Sequence, residues 1–476
     1  MRATIGVTPS TAVCAILSRV VAVLFAIISD AILPDHTPEG ALIHEFPPSC
    51  RHATLFSAFA RWDAAHVLSL AALGWSEEYS HAFFPLYPCL VRGLAFLLMP
   101  LCTPFFCVAE IYVLAGMLVS NTAFVAAACF LHALGDRVLR DPQLARAAAL
   151  IFCAAPASVF FSSAYSEATF AALTFGGGVM LEDGAPWKAS VLLALAAACR
   201  ANGTANLLLL MHHGARHLVR GYAPSHGTRS VSAASAAAGL LATAVQLAIV
   251  SAPYIGWQAV GYWRVCNDVG DMALAAERVP SPTRLAQTST STLPAGWCER
   301  TWPDLYTHVQ HSYWGVGLLR YYEIRQLPNF ALAAPALALC AGGTAASSAL
   351  LRARYGGMPW RDSARHVLGW RNAETKAASG DGAMTPRALP YVAQWALLSA
   401  VALLFANVQV VTRLVGAASP PVYWYLAHLL LRRGDGGHGG GASWLRSERL
   451  RVCAIGYVGV FVVVGTALHS NALPWT

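Results

Sequence analysis

Acidic residues and histidines are concentrated in the stretch RWDAAHVLSLAALGWSEEYSH, residues 61–81, although the chain as a whole is rich in apolar residues. Asp63 and His66 stand three residues apart, so a helix over 59–74 places them on neighbouring positions of one face. A carboxylate that is kept short of bulk water can take the proton from a reacting hydroxyl group. Asp63 and Glu78 are therefore candidate functional acids.

Each of these residues also has a purely structural interpretation. Asp63 can pair with Arg61 or cap a helix, and Glu78 can belong to a solvated loop. His66 and His81 are of a type that more often packs at an interface than binds a metal, and no third ligand follows at a suitable spacing. The sequence therefore predicts no metal site and no cofactor.

Polar and charged residues also interrupt or border the apolar runs elsewhere in the chain. An ionisable residue at membrane depth, such as Glu167, is a functional candidate by default, although it can also cap a helix. Trp and Tyr cluster at membrane interfaces whatever the function, so the aromatic residues of 296–335 have a structural interpretation too. The candidate substrate-binding residues are Arg61, Trp62, His66, Tyr165, Glu167, Arg200, Asn202, Gln310, Tyr313, Trp314, Arg320, Arg325, Gln326, Asn329 and Arg413.

The composition is typical of a membrane protein. Of 476 residues, 56% are hydrophobic and 12% are charged, compared with about 25% charged in soluble domains. Backbone groups in lipid must bond within their own segment, so the spans are predicted to be helices. The net charge of +8 is typical of basic cytoplasmic loops and does not indicate nucleic-acid binding. We predict an all-α fold, with residues 1–476 forming a single multi-pass bundle of about 9 to 11 membrane helices.

Apolar runs of about 20 residues, which is long enough to cross a bilayer, recur along the chain. Alternation from a cytoplasmic N-terminus places three basic segments, 212–230, 352–377 and 431–451, on the cytoplasmic side. The basic segment 137–146 falls on the other side, so either the element 144–163 does not cross or the charge rule is locally broken. The eleven predicted spans are 11–33, 83–103, 108–133, 144–163, 165–181, 187–211, 233–255, 329–350, 391–412, 419–431 and 451–470.

The same count gives the non-cytoplasmic side two large polar segments. The first covers 34–82 and carries Asp63, and the second covers 256–328. Cys266 and Cys298 both lie in the second segment, on a side where a disulfide can persist. Any chemistry is expected where these two loops meet the bilayer.

Several motifs occur in order over nearly the whole chain. They are RWDAAH, GW and AFFPLYP within 61–88, APASVFFSSAYSE at 155–167, RANG at 200–203, VQHSYWGVGLLRYYEIRQLPNF at 309–330, AASPPVYWY at 417–425 and LPWT at 473–476. In this combination the chain resembles the GPI mannosyltransferase 2 family, also called the PIG-V family. It departs from the family pattern at Trp75, where Tyr is usual, at His81, where an aromatic residue is commoner, and in APAS, where SPAS is usual.

The resemblance implies a glycosyltransferase of the GT-C type in the endoplasmic reticulum, with interfacial helices on the luminal side. It implies transfer of the second mannose, in α1,6 linkage, from dolichyl phosphate mannose to the mannosyl-glucosaminyl-phosphatidylinositol intermediate. In GT-C enzymes an acidic residue of the first luminal loop is the expected catalytic group, and Asp63 stands at the matching position. The implied partners are the donor and acceptor lipids and the membrane, and a small membrane subunit is a further candidate.

A β-linked donor and an α-linked product require one inverting displacement. The reaction needs a base for the acceptor hydroxyl and a cationic seat for the departing phosphate. We predict Asp63 as the base and Glu78 as an orienting or secondary acid. The predicted phosphate partner is Arg320 or Arg325, with Arg200 as a weaker candidate. The sequence leaves open a flippase for a lipid-linked sugar, a GT-C transferase for another dolichyl-phosphate sugar, and a non-catalytic scaffold.

Overall fold

The computed structural model describes residues 9–36, 56–75, 77–222, 233–267, 296–355, 357, 385–431, 441–473 and 475. Within these residues every regular element is helical, which confirms the all-α prediction. The α-helices in chain order are α1 (Pro9–Ile32), α2 (Asp63–Leu73), α3 (Leu86–Cys102), α4 (Val108–Leu139), α5 (Pro142–Cys153), α6 (Glu167–Glu182), α7 (Pro186–Cys199), α8 (Leu207–Tyr222), α9 (Ala233–Tyr262), α10 (Leu305–Trp314), α11 (Leu327–Tyr355), α12 (Leu389–Leu404), α13 (Val411–Ala418), α14 (Pro420–Leu431) and α15 (Gly441–Ser470).

Six helices in the described ranges are long and apolar enough to cross a bilayer, namely α1, α4, α9, α11, α12 and α15. A further pair, α13 and α14, is apolar enough when taken together but is bent by 88°. Helices α5 to α8 lie between the long ones and are shorter, with 12 to 16 residues each. The chain is therefore a polytopic helical membrane protein in which several crossings are broken.

Contacts between helix termini define two ends of the bundle. Arg61 Nη2 lies 3.0 Å from Asp30 Oδ1, near the end of α1, and Arg61 Nε donates a hydrogen bond to the carbonyl of Ser470, the last residue of α15. We call this the site end. Arg137 and Asp183 form an ion pair of 2.6 Å that joins the last turn of α4 to the end of α6. That pair marks the opposite end.

Helix α3 does not cross the bundle, so the predicted span 83–103 is wrong. Beyond the end of α3, the ring of Phe106 lies 5.7 Å from that of Phe56, which is at the site end. In the first half of α3, Arg92 Nε donates a hydrogen bond to the carbonyl of Ala71 near the end of α2. A helix of 17 residues is about 25 Å long and has its arginine bound by carbonyls of α2. Helix α3 therefore stays at the site end.

The predicted span 187–211 is also wrong, because it forms two helices, α7 and α8, that meet near the site end. Arg200 directly follows α7 and lies 2.6 Å from Glu167, the first residue of α6. Gly214 of α8 approaches Thr243 in the first half of α9, and α9 runs from the opposite end to the site end. Helix α8 therefore returns to the opposite end.

The first correction removes one crossing and the second adds one, so the total number of crossings is unchanged. The residues between the two corrected segments move to the opposite side of the membrane. With α3 at the site end, α4 carries the chain to the opposite end, where residues 137–146 lie. Arg387 Nη1 donates a hydrogen bond to the carbonyl of Arg137, and Arg387 follows the basic segment 352–377. Arg387 and residues 137–146 therefore share one end, so the positive-inside rule is no longer contradicted at 137–146. The predicted element 144–163 consists of α5 and an irregular segment after Cys153.

This topology can be tested by labelling engineered cysteines in sealed membrane vesicles of known orientation. Phe105→Cys and Arg140→Cys change exposed residues on either side of α4. A membrane-impermeant maleimide mass tag is expected to reach one of them before detergent is added and the other only afterwards, with Arg140→Cys labelled on the cytoplasmic side. Labelling of Arg140→Cys from the non-cytoplasmic side would restore span 83–103.

A buried arginine in α1 holds the irregular segment that follows α5. Arg19 Nη1 donates hydrogen bonds to the Ser158 carbonyl and to Ser162 Oγ, and Nη2 donates to the Cys153 carbonyl and to Ser158 Oγ. The guanidinium carbon lies 3.8 Å from the centre of the Phe124 ring. Broken helices are tolerated in a membrane only where the freed backbone groups find partners. Arg19 supplies these partners for the break.

Two glycines allow close packing next to the site end. A Cβ atom on Gly116 of α4 would lie 2.7 Å from the Cβ atom of Ala164. A Cβ atom on Gly203 would lie 2.5 Å from the Cα atom of Ala197. Small residues of this kind let membrane helices approach each other closely. They bring the segments before α6 and after α7 against their neighbours.

Candidate active site

Four charged side chains from distant parts of the sequence form one network at the site end. Arg413 Nη1 donates a hydrogen bond of 2.6 Å to Asp63 Oδ2 and lies 3.5 Å from Glu167 Oε1. Arg200 Nη1 lies 2.6 Å from the same Glu167 oxygen and 3.0 Å from Ser166 Oγ. The order Asp63, Arg413, Glu167, Arg200 alternates acid and base. We call these four residues the charge network.

Helix termini place the two acids of the charge network. Asp63 is the first residue of α2 and Glu167 is the first residue of α6. The partial positive charge of a helix N-terminus favours a carboxylate at such positions. Trp62, just before Asp63, has a φ of 57°. Non-glycine residues keep this conformation only where the surrounding structure imposes it.

The members of the charge network differ in their access to solvent. The side chain of Asp63 is 40% exposed and that of Arg200 is 21% exposed. Arg413 is 14% exposed and Glu167 is completely buried. A substrate can therefore touch Asp63 and Arg200, which are the two terminal members of the network, while the two middle members form the buried connection.

Asp63 is ionised and keeps one oxygen available. Burial raises the pKa of the Asp63 carboxyl, but the charge and hydrogen bond of Arg413, together with the charges of His66 and Arg200, outweigh burial and hold this pKa below its ordinary value. Oδ2 accepts the hydrogen bond from Arg413, whereas no described residue donates one to Oδ1. A carboxylate oxygen that is free and partly exposed can accept a proton from a bound hydroxyl group.

Aromatic residues line the charge network. The guanidinium carbon of Arg413 lies 5.4 Å from the centre of the Phe160 ring and 5.7 Å from that of the Tyr165 ring. The Tyr165 hydroxyl donates a hydrogen bond to the carbonyl of Arg61 and lies 3.4 Å from His469 Nε2. Tyr165 was predicted, whereas Phe160 and His469 were missed, because nothing local in the sequence distinguishes them from packing residues.

The predicted residues around Asp63 have different roles. Arg61 does not pair with Asp63, because its Nη2 lies 2.8 Å from Asp35 Oδ1 as well as near Asp30. Trp62 is 39% exposed, and the ring of His66 stacks on Phe83 at 5.3 Å. The alternative in which Asp63 pairs with Arg61 is therefore wrong. Arg61 joins the ends of neighbouring helices, and Asp63 pairs with Arg413.

Glu78 belongs to a second cluster, which joins the two loops of the site end. Its carboxylate accepts hydrogen bonds from Trp297 Nε1 at 2.7 Å and from the Tyr313 hydroxyl at 2.9 Å. His308 Nε2 lies 3.5 Å away. Burial, followed by the Glu78 charge, raises the pKa of Tyr313, so this tyrosine keeps the proton that it donates. These contacts give Glu78 a structural role in holding the loop, and among the described residues no hydrogen bond or ion pair joins it to Asp63.

The disulfide between Cys266 and Cys298 is present, with a Cα–Cα distance of 5.8 Å. It closes a loop of the second large polar segment, and both cysteines pack against Trp297, Leu305 and Val309. Cys298 directly follows Trp297, which donates to Glu78. The structure therefore contains the disulfide that the sequence left open, and this disulfide fixes the residues that bind Glu78.

The remaining predicted residues of 310–329 lie outside the charge network. Trp314 packs on Phe83, with ring centres 6.1 Å apart, and the carbonyl of Gln310 accepts hydrogen bonds from the backbone after α10. Arg320 is exposed, and Arg325 pairs with Glu323. The Asn329 side chain donates to Gln326 Oε1 and to the Tyr321 hydroxyl. The two arginines predicted as phosphate partners, Arg320 and Arg325, thus form no ion pair with Asp63 in the described structure, whereas Arg413 and Arg200 belong to its network.

Asn202 has an unusual environment. Both polar atoms of its side chain are buried and have no hydrogen-bond partner among the described residues. Asn202 lies two residues after Arg200, in the turn between α7 and α8. A buried amide without partners is costly, so this position is suited to a ligand hydroxyl or to ordered water. In the described part of the chain, no three His, Cys, Asp or Glu residues are grouped as metal ligands would be.

A comparison with known proteins identifies the family. The model of the mannosyltransferase (PIG-V) family matches residues 11–476. The chain belongs to this family. The match includes all four members of the charge network, and the resemblance inferred from the motifs is confirmed. Membership in the family makes the chain a mannosyltransferase and favours catalysis over the flippase and scaffold alternatives.

Individual relatives match over nearly the whole chain. GPI alpha-1,6-mannosyltransferase 2 of Mus musculus is 32% identical, with 97% of each chain covered. The protein of the same name from Homo sapiens is 29% identical, again with 97% of each chain covered. GPI mannosyltransferase 2 of Chaetomium globosum is 30% identical over 86% of this chain and 87% of its own. No solved structure matches the chain.

Proposed function

We propose that this mannosyltransferase acts in GPI-anchor synthesis and adds the second mannose, in α1,6 linkage, to the mannosyl-glucosaminyl-phosphatidylinositol intermediate. The donor is dolichyl phosphate mannose. The observation that carries the proposal is the charge network, in which a partly exposed carboxylate, Asp63, and a partly exposed arginine, Arg200, stand at the two ends of one series of contacts. The full-length relatives support the same acceptor class through their names.

The proposed reaction is a single inverting displacement. Asp63 Oδ1 takes the proton of the 6-hydroxyl of the acceptor mannose as that oxygen attacks the anomeric carbon of the donor. The bond between this carbon and the phosphate oxygen breaks, and its electron pair leaves with dolichyl phosphate. The β-linked donor thereby gives an α-linked product. Polyprenyl phosphate is a competent leaving group, so the displacement requires no metal or other cofactor.

Arg200 is the proposed seat of the leaving phosphate, with Arg413 as the second cation. Fixed positive charge where negative charge develops is the largest contribution in many enzymes. Arg200 uses Nη1 for Glu167 and Ser166, and its remaining nitrogens donate no hydrogen bond to another described residue. Asn202, next to this arginine, is proposed to bind a sugar hydroxyl. Arg320 and Arg325 border the same side of the membrane and are proposed to contact lipid headgroups.

The proposed location is the endoplasmic reticulum membrane, with the charge network facing the lumen. The disulfide at the site end fits an oxidising compartment, and the basic segments at the opposite end fit the cytoplasm. The proposed partners are the two lipid substrates. A small membrane subunit is proposed to bind the exposed faces of the long helices.

Complementation tests this function. Cells that lack the second GPI mannosyltransferase are expected to regain the two-mannose glycolipid when they express this chain, as read by chromatography of labelled intermediates. Accumulation of the one-mannose intermediate despite normal expression would contradict the proposal. Linkage analysis of the product with an α1,6-specific mannosidase, compared with an α1,2-specific enzyme, distinguishes the proposed linkage from that of another GT-C transferase.

A further inference from the structure

Glu167 is the buried centre of the charge network. Both arginines contact the same oxygen, Oε1, with Arg200 at 2.6 Å and Arg413 at 3.5 Å. The other oxygen, Oε2, is buried and has no hydrogen-bond partner among the described residues. Because Glu167 is completely buried, water cannot replace either arginine beside its carboxylate. The negative charge of Glu167 is therefore shared between the two cations.

Arg413 is shared unequally between two acids. It lies 2.6 Å from Asp63 and 3.5 Å from Glu167, and each carboxylate competes for the same nitrogen, Nη1. A stronger ion pair between Glu167 and Arg413 therefore weakens the ion pair between Arg413 and Asp63. Arg200 limits the Glu167–Arg413 pair, because it has the shorter contact with Glu167.

We propose that Glu167 is a positioning residue that couples binding of an anionic phosphate at Arg200 to the release of Asp63 by Arg413. This inference rests on the proposed function, because the phosphate is that of the sugar donor. When the phosphate binds, it draws the Arg200 guanidinium away from Glu167. Glu167 then attracts Arg413 more strongly, and the contact between Arg413 and Asp63 lengthens.

The consequence is that Asp63 becomes a stronger base only after the donor is in place. An opposite charge within about 4 to 6 Å shifts a carboxyl pKa by about 1 to 3 units, so partial loss of the Arg413 contact is measurable. A direct effect of the phosphate charge on Asp63 would act in the same direction. The two explanations differ in whether they need Glu167.

Other titratable groups face the two acids. Histidines near Asp63 can also titrate, because the ordinary pKa of a histidine lies near neutrality. Their effect on the acid limb is expected to be the same in the wild type and in every variant. A difference between variants therefore reports Glu167. The groups that face Asp63 are Arg413, His66, Arg200, Tyr165 and His469, and those that face Glu167 are Arg413, Arg200, Tyr165, Tyr87 and Cys199.

The experiment compares two pH profiles of the full-length enzyme in membranes. The profile of kcat/KM for the donor, dolichyl phosphate mannose, reports the free enzyme. The profile of kcat/KM for the acceptor at saturating donor reports the enzyme–donor complex. In the wild type, the midpoint of the acid limb is expected to lie about one pH unit higher in the donor complex.

Two variants separate the coupling from the direct effect. Glu167→Gln is expected to abolish the difference between the two midpoints, since a neutral side chain cannot transmit the loss of Arg200. Arg200→Met is expected to give the higher midpoint in the free enzyme already, because it leaves Glu167 to Arg413 alone. Because Arg200 also lowers the pKa of Asp63 directly, the double variant Arg200→Met, Glu167→Gln measures that direct part alone. The coupling predicts a smaller rise of the midpoint in the double variant than in Arg200→Met, and an equal rise would contradict it.

Glu110→Gln is the matched control. Glu110 is also buried in the first turn of a helix, α4, and its Oε2 accepts a hydrogen bond from the backbone of Cys107. This variant is expected to keep the wild-type difference. Equal midpoints in the wild type, or a difference that survives in Glu167→Gln, would overturn the coupling. Absence of α1,6 transfer by the wild type at every pH would instead overturn the proposed function.

Discussion

Replacement of Asp63 by asparagine is expected to lower the rate of mannose transfer by about 100- to 10,000-fold. Asparagine has the size of aspartate but cannot take the proton of the acceptor hydroxyl. The measurement uses membranes that contain the variant, radiolabelled dolichyl phosphate mannose and the one-mannose acceptor, with the two-mannose product read by chromatography. The proposed phosphate seat, Arg200, is unchanged in this variant, and the proposed coupling favours donor binding when residue 63 is neutral. The KM for the donor is therefore expected to fall rather than to rise.

Asp183→Asn is the matched control for this experiment. Asp183 also pairs with an arginine, Arg137, and the contact is also 2.6 Å, but the pair lies at the opposite end of the bundle. Its loss is expected to leave transfer near the wild-type rate. Full formation of the two-mannose glycolipid by Asp63→Asn would remove this carboxylate from the mechanism.

Arg413→Gln is expected to have the second largest effect, a loss of about 100- to 1,000-fold in kcat. The change removes the proposed second cation for the leaving phosphate and leaves buried Glu167 with one arginine. Breaking a buried ion pair typically costs about 3 to 5 kcal/mol of stability, so the thermal midpoint in detergent is expected to fall as well. Both quantities are measured on the same purified variant.

The pH profile of Arg413→Gln has a defined direction. Arg413 holds the pKa of Asp63 below its ordinary value against the effect of burial. Without the arginine, burial prevails and this pKa rises, so the acid limb is expected to move to higher pH. Arg413→Lys keeps the charge but not the planar guanidinium. In this variant the midpoint of the acid limb is expected to lie close to that of the wild type, while kcat stays below the wild-type value. An unshifted acid limb in Arg413→Gln would show that Arg413 does not control Asp63.

The candidate site was predictable in its residue types but not in its pairings. Asp63 is recognisable because a carboxylate stands in an aromatic, apolar setting, and Glu167 because it interrupts an apolar run. Their connection through Arg413 is not visible, because Arg413 follows Asp63 by 350 residues and no local spacing joins them. The same holds for Glu78, whose partners lie more than 200 residues away. Sequence pattern identified the acids, and the fold assigned their partners.

The fold was predictable in class and less so in topology. Hydropathy identifies α3 as apolar but does not show that its Arg92 is bound by the carbonyls of α2. Hydropathy also continues across the break between α7 and α8, where Gly203 and Arg200 turn the chain. The basic segment 137–146 was the one place where the predicted topology contradicted the positive-inside rule. This contradiction indicated that the predicted spans around it, 83–103 and 187–211, were wrong. The positive-inside rule placed residues 137–146 at the end where the structure has them. It did not show that α3 was the helix that fails to cross.

Arg19 has a consequence for how the chain is made. Its hydrogen-bond partner Ser158 is 139 residues further along the chain, which is about 7 to 28 s of synthesis at 5 to 20 residues per second. An arginine at the centre of a span costs about 2.5 to 3.5 kcal/mol during insertion by the translocon. The first helix is therefore expected to enter the membrane before the hydrogen-bond partners of its arginine have been synthesised.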